Sequence, residues 1–338
     1  MTVDWPQLLR DQDVQFDHGR LTVRDGASTG LKATFEDGSV IPLVDMGVIR
    51  VSGADASSFL HTQLTQDIQA LDDASWRMAG YCNAKGRLYA TFQLLLSDDG
   101  FLLLTQRSLV EPLIRRLRMF VLRSKVSLED VSDEHAAIGI VGRAALPGLD
   151  ALVGSVPEQR GSVHRAGDVI ALALGGTPDR VLVLCSGDDA PGIWETLSRG
   201  ATIADPNVWA LLNIRAGWPE IYSETVESFV PQQVNLELIE GVNFRKGCYP
   251  GQEVVARMHY LGKPSRRMYR LTGPDGPVPA PGSKVTTADG SNAGDVVCAA
   301  PGPDGLELLA VLRNQYRDRQ DLDAGGVKIV VGTLPYEV

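Results

Sequence analysis

Hydrophobic positions change their period several times along the chain, and each change marks an element. Val48, Ile49 and Val51 lead into Gly53 and predict a strand over 48–53, after which Phe59, Leu60, Leu64 and Ile68 fall on one face of a helix over 54–68. Residues 77–82 and 86–96 read as further strands, and 101–105 closes a hairpin across the SDDG turn at 97–100. Apolar Leu109, Leu113, Leu117, Phe120 and Val121 predict a helix over 109–122 lying on that sheet. A β-rich unit with two helices on one face follows.

The flanking regions repeat the mixture. Residues 1–47 start with a short helix over 5–10 and continue as short strands and turns around HGRL, RDGA and EDGS. Strands are expected at 136–142, 169–174 and 181–186, then a helix at 190–198, making a second α+β layer. WALLNIRAGW at 209–218 reads as a helix ending at Gly217. A polar loop over 221–228, the PQQ turn at 231–233 and a short helix at 235–240 lead towards residue 244. Beyond Pro264, β-branched residues between Gly/Pro turns predict a small β domain over 264–338. No internal repeat appears.

Composition narrows the function classes. At 338 residues the chain is too long for one ordinary core, and two or three domains are expected. The apolar runs at 92–96 and 181–184 are far too short to span a bilayer, and MTVDWPQLLRDQ has neither a basic start nor an apolar signal core. These features predict a cytoplasmic protein with no membrane partner. Cys82, Cys185, Cys248 and Cys298 stand alone, without CxxC or Cys/His spacing, so neither a disulfide scaffold nor a zinc site is indicated. Cys185 in VLVLCS and Cys298 in VVCAA read as core, and Cys82 beside the NAKGR loop as structural. A net charge of −10 argues against direct nucleic-acid binding by bulk electrostatics. Two basic segments run against that balance: Arg115, Arg116, Arg118, Arg123 and Lys125, and then Arg245, Lys246, Arg257, Lys263, Arg266, Arg267 and Arg270. They suit a discrete anion; Arg115 to Arg118 taken alone better suits a solvated helix face.

The most chemically loaded stretch is FRKGCYPGQEVVAR at 244–257. Proline is favoured in a first helical turn, so a helix is expected from about Pro250. Cys248 would then sit just upstream of a helix N-terminus and beside Lys246, where a thiolate is stabilised. The same spacing also suits a small buried Cys248 with a solvated Lys246. His259 lies eleven residues on, roughly 16 Å along a continuous helix, and cannot serve as its base. His18, His61, His135 and His164 occupy no recognisable setting, which disfavours a hydrolase.

KGCYPGQE at 246–253 resembles the signature of the YgfZ family of folate-binding proteins, relatives of the glycine cleavage T protein, an aminomethyltransferase. The blocks at 48–68, 81–88 (YCNAKGRL) and 229–244 resemble that family in order and spacing. The resemblance implies an α+β fold: a three-domain ring of T-protein type, with two discontinuous α+β domains and a C-terminal β-barrel. Carried onto this chain, the domains are 1–47 with 132–225, then 48–131 with 226–263, then 264–338. It implies tetrahydrofolate as ligand, and support for the assembly or repair of iron–sulfur clusters in client enzymes, including tRNA-modifying ones. Carried over from the signature, Lys246, Cys248, Tyr249, Gln252 and Glu253 are the site residues, with Cys248 and Lys246 in the reactive role. Residue type adds Asn83, Gln232 and Asn235 for amide contacts and Arg257 or Arg245 for the glutamate tail of the ligand. Two departures stand out. T proteins carry an aspartate where this chain has Tyr89 or Ala90, and a glutamate where it has Arg215. Losing those carboxylates disfavours ordinary aminomethyl transfer. The alternatives are a tetrahydrofolate-dependent one-carbon transferase or demethylase, and a noncatalytic scaffold.

Overall fold

A computed structural model of the chain describes residues 3–9, 14–17, 20–23, 31, 34–143, 145–262 and 264–338. Lys263, named above in the second basic segment, lies outside them. Strands form two large open sheets with buried central strands, each covered by helices, and a third set closes on itself. The first sheet has five antiparallel strands in the order Trp76–Cys82, Leu88–Ser97, Gly100–Gln106, Met46–Ser52, Ser127–Asp130. Helices Ala56–Gln63 and Val110–Arg118 bury Phe59 and Leu60, and Leu113, Ile114 and Leu117, respectively.

Both helices are shorter than their apolar pattern predicts. Leu64 turns extended and bridges Tyr81, and Thr65 N–H donates to Gly80 O at 2.9 Å. Leu64 and Ile68 are therefore buried, but as an addition to the sheet edge rather than as a helix face. After Arg118 the chain turns out of the second helix, and Phe120 and Leu122 stand in solvent. The apolar pattern there continued past the point where the sheet could receive it.

The second sheet has six strands in the order Val163–Ala166, Val169–Ala173, Arg180–Ser186, His135–Val141, Ser39–Pro42, Thr202–Ile203. Ser39–Pro42 comes from before the five-stranded sheet in sequence and pairs with His135–Val141 from after it. Helix Ala190–Ser198 forms as its periodicity predicts, whereas Leu146–Val153, with a proline in its first turn, had no clear signal. The helix ending in Arg215 starts earlier than expected, at Pro206, because Asp205 caps it by accepting from Asn207 N–H at 2.8 Å. No helix forms at 235–240; a 3₁₀ turn at Pro231–Val234 ends in Asn235, whose φ of 57° breaks the run.

Strands Val14–Asp17 and Arg20–Val23 pair as a separate hairpin, and six others close a barrel in the order Arg266–Gly273, Gly305–Arg313, Asn292–Gly302, Lys284–Thr287, Leu322–Ala324, Val327–Val331. The register Leu271↔Val331 completes it, so the barrel has no open edge. It meets helix Pro206–Arg215 through apolar packing, with Val297, Cys298 and Leu309 in one buried cluster with Trp209 and Leu212, and through an ionic clasp. Glu307 accepts from Arg215 at 2.5 Å and Arg270 at 2.7 Å, joining helix Pro206–Arg215 to the barrel wall. Among the described residues, no helix is long and apolar enough to cross a membrane.

Glu307→Ala leaves two half-buried guanidiniums facing each other without their shared anion. It is expected to lower unfolding free energy by about 3 kcal/mol in urea titrations, whereas Arg215→Ala alone costs less. Equal stability of Glu307→Ala and wild type would remove this junction from the account.

Candidate functional site

The signature loop is built from the asparagine before it. Asn243 Oδ1 accepts from the backbone N–H of Arg245 at 2.8 Å and of Lys246 at 3.1 Å, folding the chain into a turn. That turn drives the Lys246 side chain inward. Its ammonium donates to Leu64 O at 2.7 Å and to His61 O, two carbonyls at the C-terminal end of helix Ala56–Gln63. A cation there meets the negative end of the helix dipole. Burial pulls the Lys246 pKa down to about 8, with Asp67 and Cys248 opposing the shift. Its ammonium also lies 5.0 Å from the centre of the Tyr249 ring.

Downstream, Gly251 adopts φ 79° and precedes helix Gln252–Leu261, which starts two residues later than Pro250 suggested. A Cβ at Gly251 would stand 2.4 Å from Asn83 O and 2.5 Å from Gly86 Cα, so only glycine fits between the two loops. Cys248 is exposed on this loop, while Cys82, Cys185 and Cys298 are buried. Burial pushes the Cys185 thiol up to about 12 and moves Cys82 and Cys298 upward as well.

The other residues singled out from the sequence separate into two groups. Around the loop, Tyr249 is buried, Gln252 is half-buried, and Glu253, Arg245 and Arg257 are exposed. Asn83 is half-buried and donates to Glu227 Oε1 at 2.6 Å. Gln232 and Asn235 are fully buried and hold backbone: Gln232 Nε2 donates to Val255 O at 2.6 Å, and Asn235 Nδ2 to Met268 O at 2.8 Å. Both amides support the fold directly.

A cavity of about 480 Å³ opens between the first sheet, helix Pro206–Arg215 and the barrel, a volume in the range of small-molecule sites. Met78, Phe92 and Gln93 reach it from the first sheet, Trp209 and Asn213 from helix Pro206–Arg215, Trp218, Glu220 and Tyr222 from the segment after it, and Cys298 from the barrel. Asn83, Gln232, Asn235, Arg257 and the signature residues Lys246, Cys248, Tyr249, Gln252 and Glu253 are absent from its walls. Tyr89 and Ala90 are buried elsewhere; Thr91, the next residue, lines the cavity. Arg215 is held on Glu307, and its helix presents Asn213 instead.

The chemistry of the cavity centres on Glu220. Its carboxylate accepts from Tyr222 OH at 2.8 Å and Asn213 Nδ2 at 3.2 Å. Burial raises the Glu220 pKa, opposed by those bonds and by Arg180. Arg180 is buried behind the wall, donates to Asn213 Oδ1 at 2.6 Å, and lies about 5 Å from the Trp209 and Trp218 rings. Burial lowers the Arg180 pKa to about 9. Gln93 Oε1 is buried without a hydrogen-bond partner. Asp45, Asp205, Glu220 and Glu224 line the cavity with no lysine, arginine or histidine among the described lining residues. Sequence reasoning missed Glu220, although GWPEIY, a carboxylate between Trp218 and Ile221, carried a signal for an acid set among apolar residues.

Residues 11–170 match the GCVT N-terminal domain family. The chain is 30% identical over 308 residues to the tRNA-modifying protein YgfZ of Klebsiella pneumoniae strain 342, covering 89% of this chain and 93% of that one. It is 37% identical over 237 residues to the tRNA-modifying protein YgfZ of Edwardsiella ictaluri strain 93-146, covering 70% and 71%. Its fold matches that of the glycine cleavage system aminomethyltransferase T from Bartonella henselae with a TM-score of 0.80, 17% identity, and coverage of 97% and 96%.

The Lys246 shift has a pH consequence with a definite sign. Its folded pKa, about 8, lies below the 10.5 of an unburied lysine. Between those values the unfolded chain binds more protons, so this site makes stability rise with pH. Unfolding free energy of wild type should climb across that window relative to Lys246→Met in denaturant titrations. Parallel curves would mean that the ammonium is not desolvated.

Proposed function

The chain belongs to the YgfZ family, and from that membership we propose that it is a cytoplasmic tetrahydrofolate-binding protein that supports iron–sulfur enzymes, tRNA-modifying ones among them, through the Cys248 thiol. One observation carries the folate assignment: the cavity pairs a half-buried, hydrogen-bonded carboxylate, Glu220, with a buried orphan acceptor, Gln93 Oε1. A reduced pterin presents an edge of N–H donors, and a carboxylate receives two such donors at once. Met78, Phe92, Trp209 and Trp218 supply apolar walls for its flat ring. Tetrahydrofolate, when bound, supplies a carrier for one-carbon units. The pterin contacts expected of Asn83, Gln232, Asn235 and Tyr249 pass in this reading to Glu220, Gln93 and Asn213. The tail leads out of the acidic cavity to solvent, where its carboxylates avoid Asp45 and Glu224.

In the same reading Cys248 acts outside the cavity. It is the exposed one of four cysteines, on a loop fixed by Lys246 and Gly251. A one-carbon transferase is the second reading, favoured by Glu220, which returns to the cavity a carboxylate that Arg215 does not provide. Turnover of a methylated amine in the presence of tetrahydrofolate would select it.

A tetrahydrofolate titration tests the proposal. Glu220→Gln is expected to weaken binding at least tenfold, the loss of a charge-assisted pair. Affinity of wild type should fall on acidification at a higher pH than an ordinary carboxylate would give, because Glu220 takes up its proton early; the glutamine variant should lack that step. Alkylating Cys248 should leave folate affinity unchanged and abolish support of cluster enzymes. Unaltered affinity in Glu220→Gln would reject the cavity as the pterin site, and full support by Cys248→Ala would reject the thiol role.

A further inference from the structure

Helix Val110–Arg118 ends in a feature that neither the cavity nor the thiol loop uses. Between Glu111 and Glu129 the chain carries Arg115, Arg116, Arg118, Arg123 and Lys125 and no acid. Met119, Phe120 and Leu122 follow the helix and are 60%, 46% and 88% exposed. Single exposed apolar residues are ordinary, but three large ones within four positions form a cluster. The turn that presents them is fixed. Phe120 N–H donates to Leu117 O at 2.9 Å and Ser124 N–H to Val121 O at 2.8 Å. Beyond it, Lys125 N–H donates to Asp55 Oδ2 at 2.7 Å, and Lys125 O accepts from Asp55 N–H at 3.2 Å. Leu122 has φ 47°, in the left-handed region that a leucine rarely occupies. Asparagine or glycine would suit that backbone better, and at this exposure leucine gains nothing there by burial.

Beside the tip an open groove of about 470 Å³ is lined by Arg118, Met119, Val121, Leu122, Val126 and Leu128. Leu128 belongs to strand Ser127–Asp130, the edge of the five-stranded sheet. Arg118 donates to Leu128 O at 2.6 Å and so stands over that edge. Arg123 and Lys125 are exposed at the far end of the turn.

We propose that this tip and its groove dock an acidic segment of a partner protein, whose apolar side chains enter the groove while its carboxylates meet Arg118, Arg123 and Lys125. Charge complementarity selects the occupant. The whole chain carries −10, so it repels an extended polyanion such as a nucleic-acid backbone or an anionic bilayer. At physiological salt the field of the tip fades within about 8 Å, which reaches a short acidic segment but does not outweigh the rest of the molecule. A groove also receives side chains from an opposing chain, whereas a bilayer would leave it unfilled.

Fluorescence anisotropy on the full chain tests this with a labelled synthetic peptide in which leucines recur at helical spacing among glutamates. A second peptide has glutamine in place of every glutamate. The acidic peptide should bind roughly tenfold tighter than the glutamine one, with the difference shrinking as salt rises. Leu122→Asn should bind it roughly fivefold more weakly, yet unfold at an equal or higher urea concentration because asparagine suits the backbone there. Arg123→Glu, whose side chain lies in solvent, should weaken binding as well and flatten its salt dependence. Equal affinity for the two peptides, or no binding below about 1 mM, overturns the proposal. A Leu122→Asn variant that binds as wild type does, or one that loses stability, overturns it too, by making Leu122 idle or structural. Phosphatidylserine vesicles or a single-stranded RNA that bind more tightly than the acidic peptide, and are lost in Arg123→Glu, would assign the tip to a membrane or a nucleic acid instead.

Discussion

A guanidinium with no access to water must be answered by the protein around it, and the answer to Arg180 organises the centre of this molecule. The side chain sits on a strand of the six-stranded sheet, bonds Asn213 on the next helix, and lies near the faces of Trp209 and Trp218. Asn213 passes the polarity on by donating to Glu220. Without Arg180 behind it, the Glu220 carboxylate would face an apolar wall with less to hold it ionised. The cation and the anion are each costly to bury alone, and each is tolerable because the other lies one amide away. Wall and carboxylate are thus one construction.

The cavity and the thiol loop draw on different residues, yet one hairpin touches both. Strand Trp76–Cys82 lines the cavity at Met78, takes Thr65 Oγ1 on Gly80 N–H at 2.7 Å, and ends at the turn that meets Gly251. Thr65 O in turn accepts from Asn243 N–H, the residue that sets the signature turn. A strand paired along its length is a stiff element, so the distance between the two sites is held by backbone rather than by long side chains.

Much of the fold was legible because period-2 runs bounded by Gly and Pro are local signals: the barrel strands, the hairpin at SDDG and helix Ala190–Ser198 all follow from neighbours in sequence. The misreadings occurred where a tertiary partner decided. Leu64 obeyed helical spacing but paired with Tyr81, and Phe120 obeyed it with no surface left to cover. The site shows the same division. The loop turn and the exposure of Cys248 were within reach of the Tyr-Pro-Gly sequence, whereas Lys246, adjacent in sequence to the thiol's segment, spends its ammonium on carbonyls of residues 61 and 64. The cavity could not be read at all, because Gln93, Trp209, Glu220 and Cys298 become neighbours only when two sheets and a barrel are assembled.

Gly86 and Gly251 meet back to back: Gly251 has no room for a side chain, and a Cβ on Gly86, itself at φ 72°, would press on Val254 and Gly251 O at 3.2–3.3 Å. Each is therefore hostage to the other: enlarging one demands that the opposing loop retreat, and the opposing loop is anchored at its own far end. Lineages descending from this sequence should find those two sites frozen together, and any lineage that relaxes one should have rebuilt both loops in the same step.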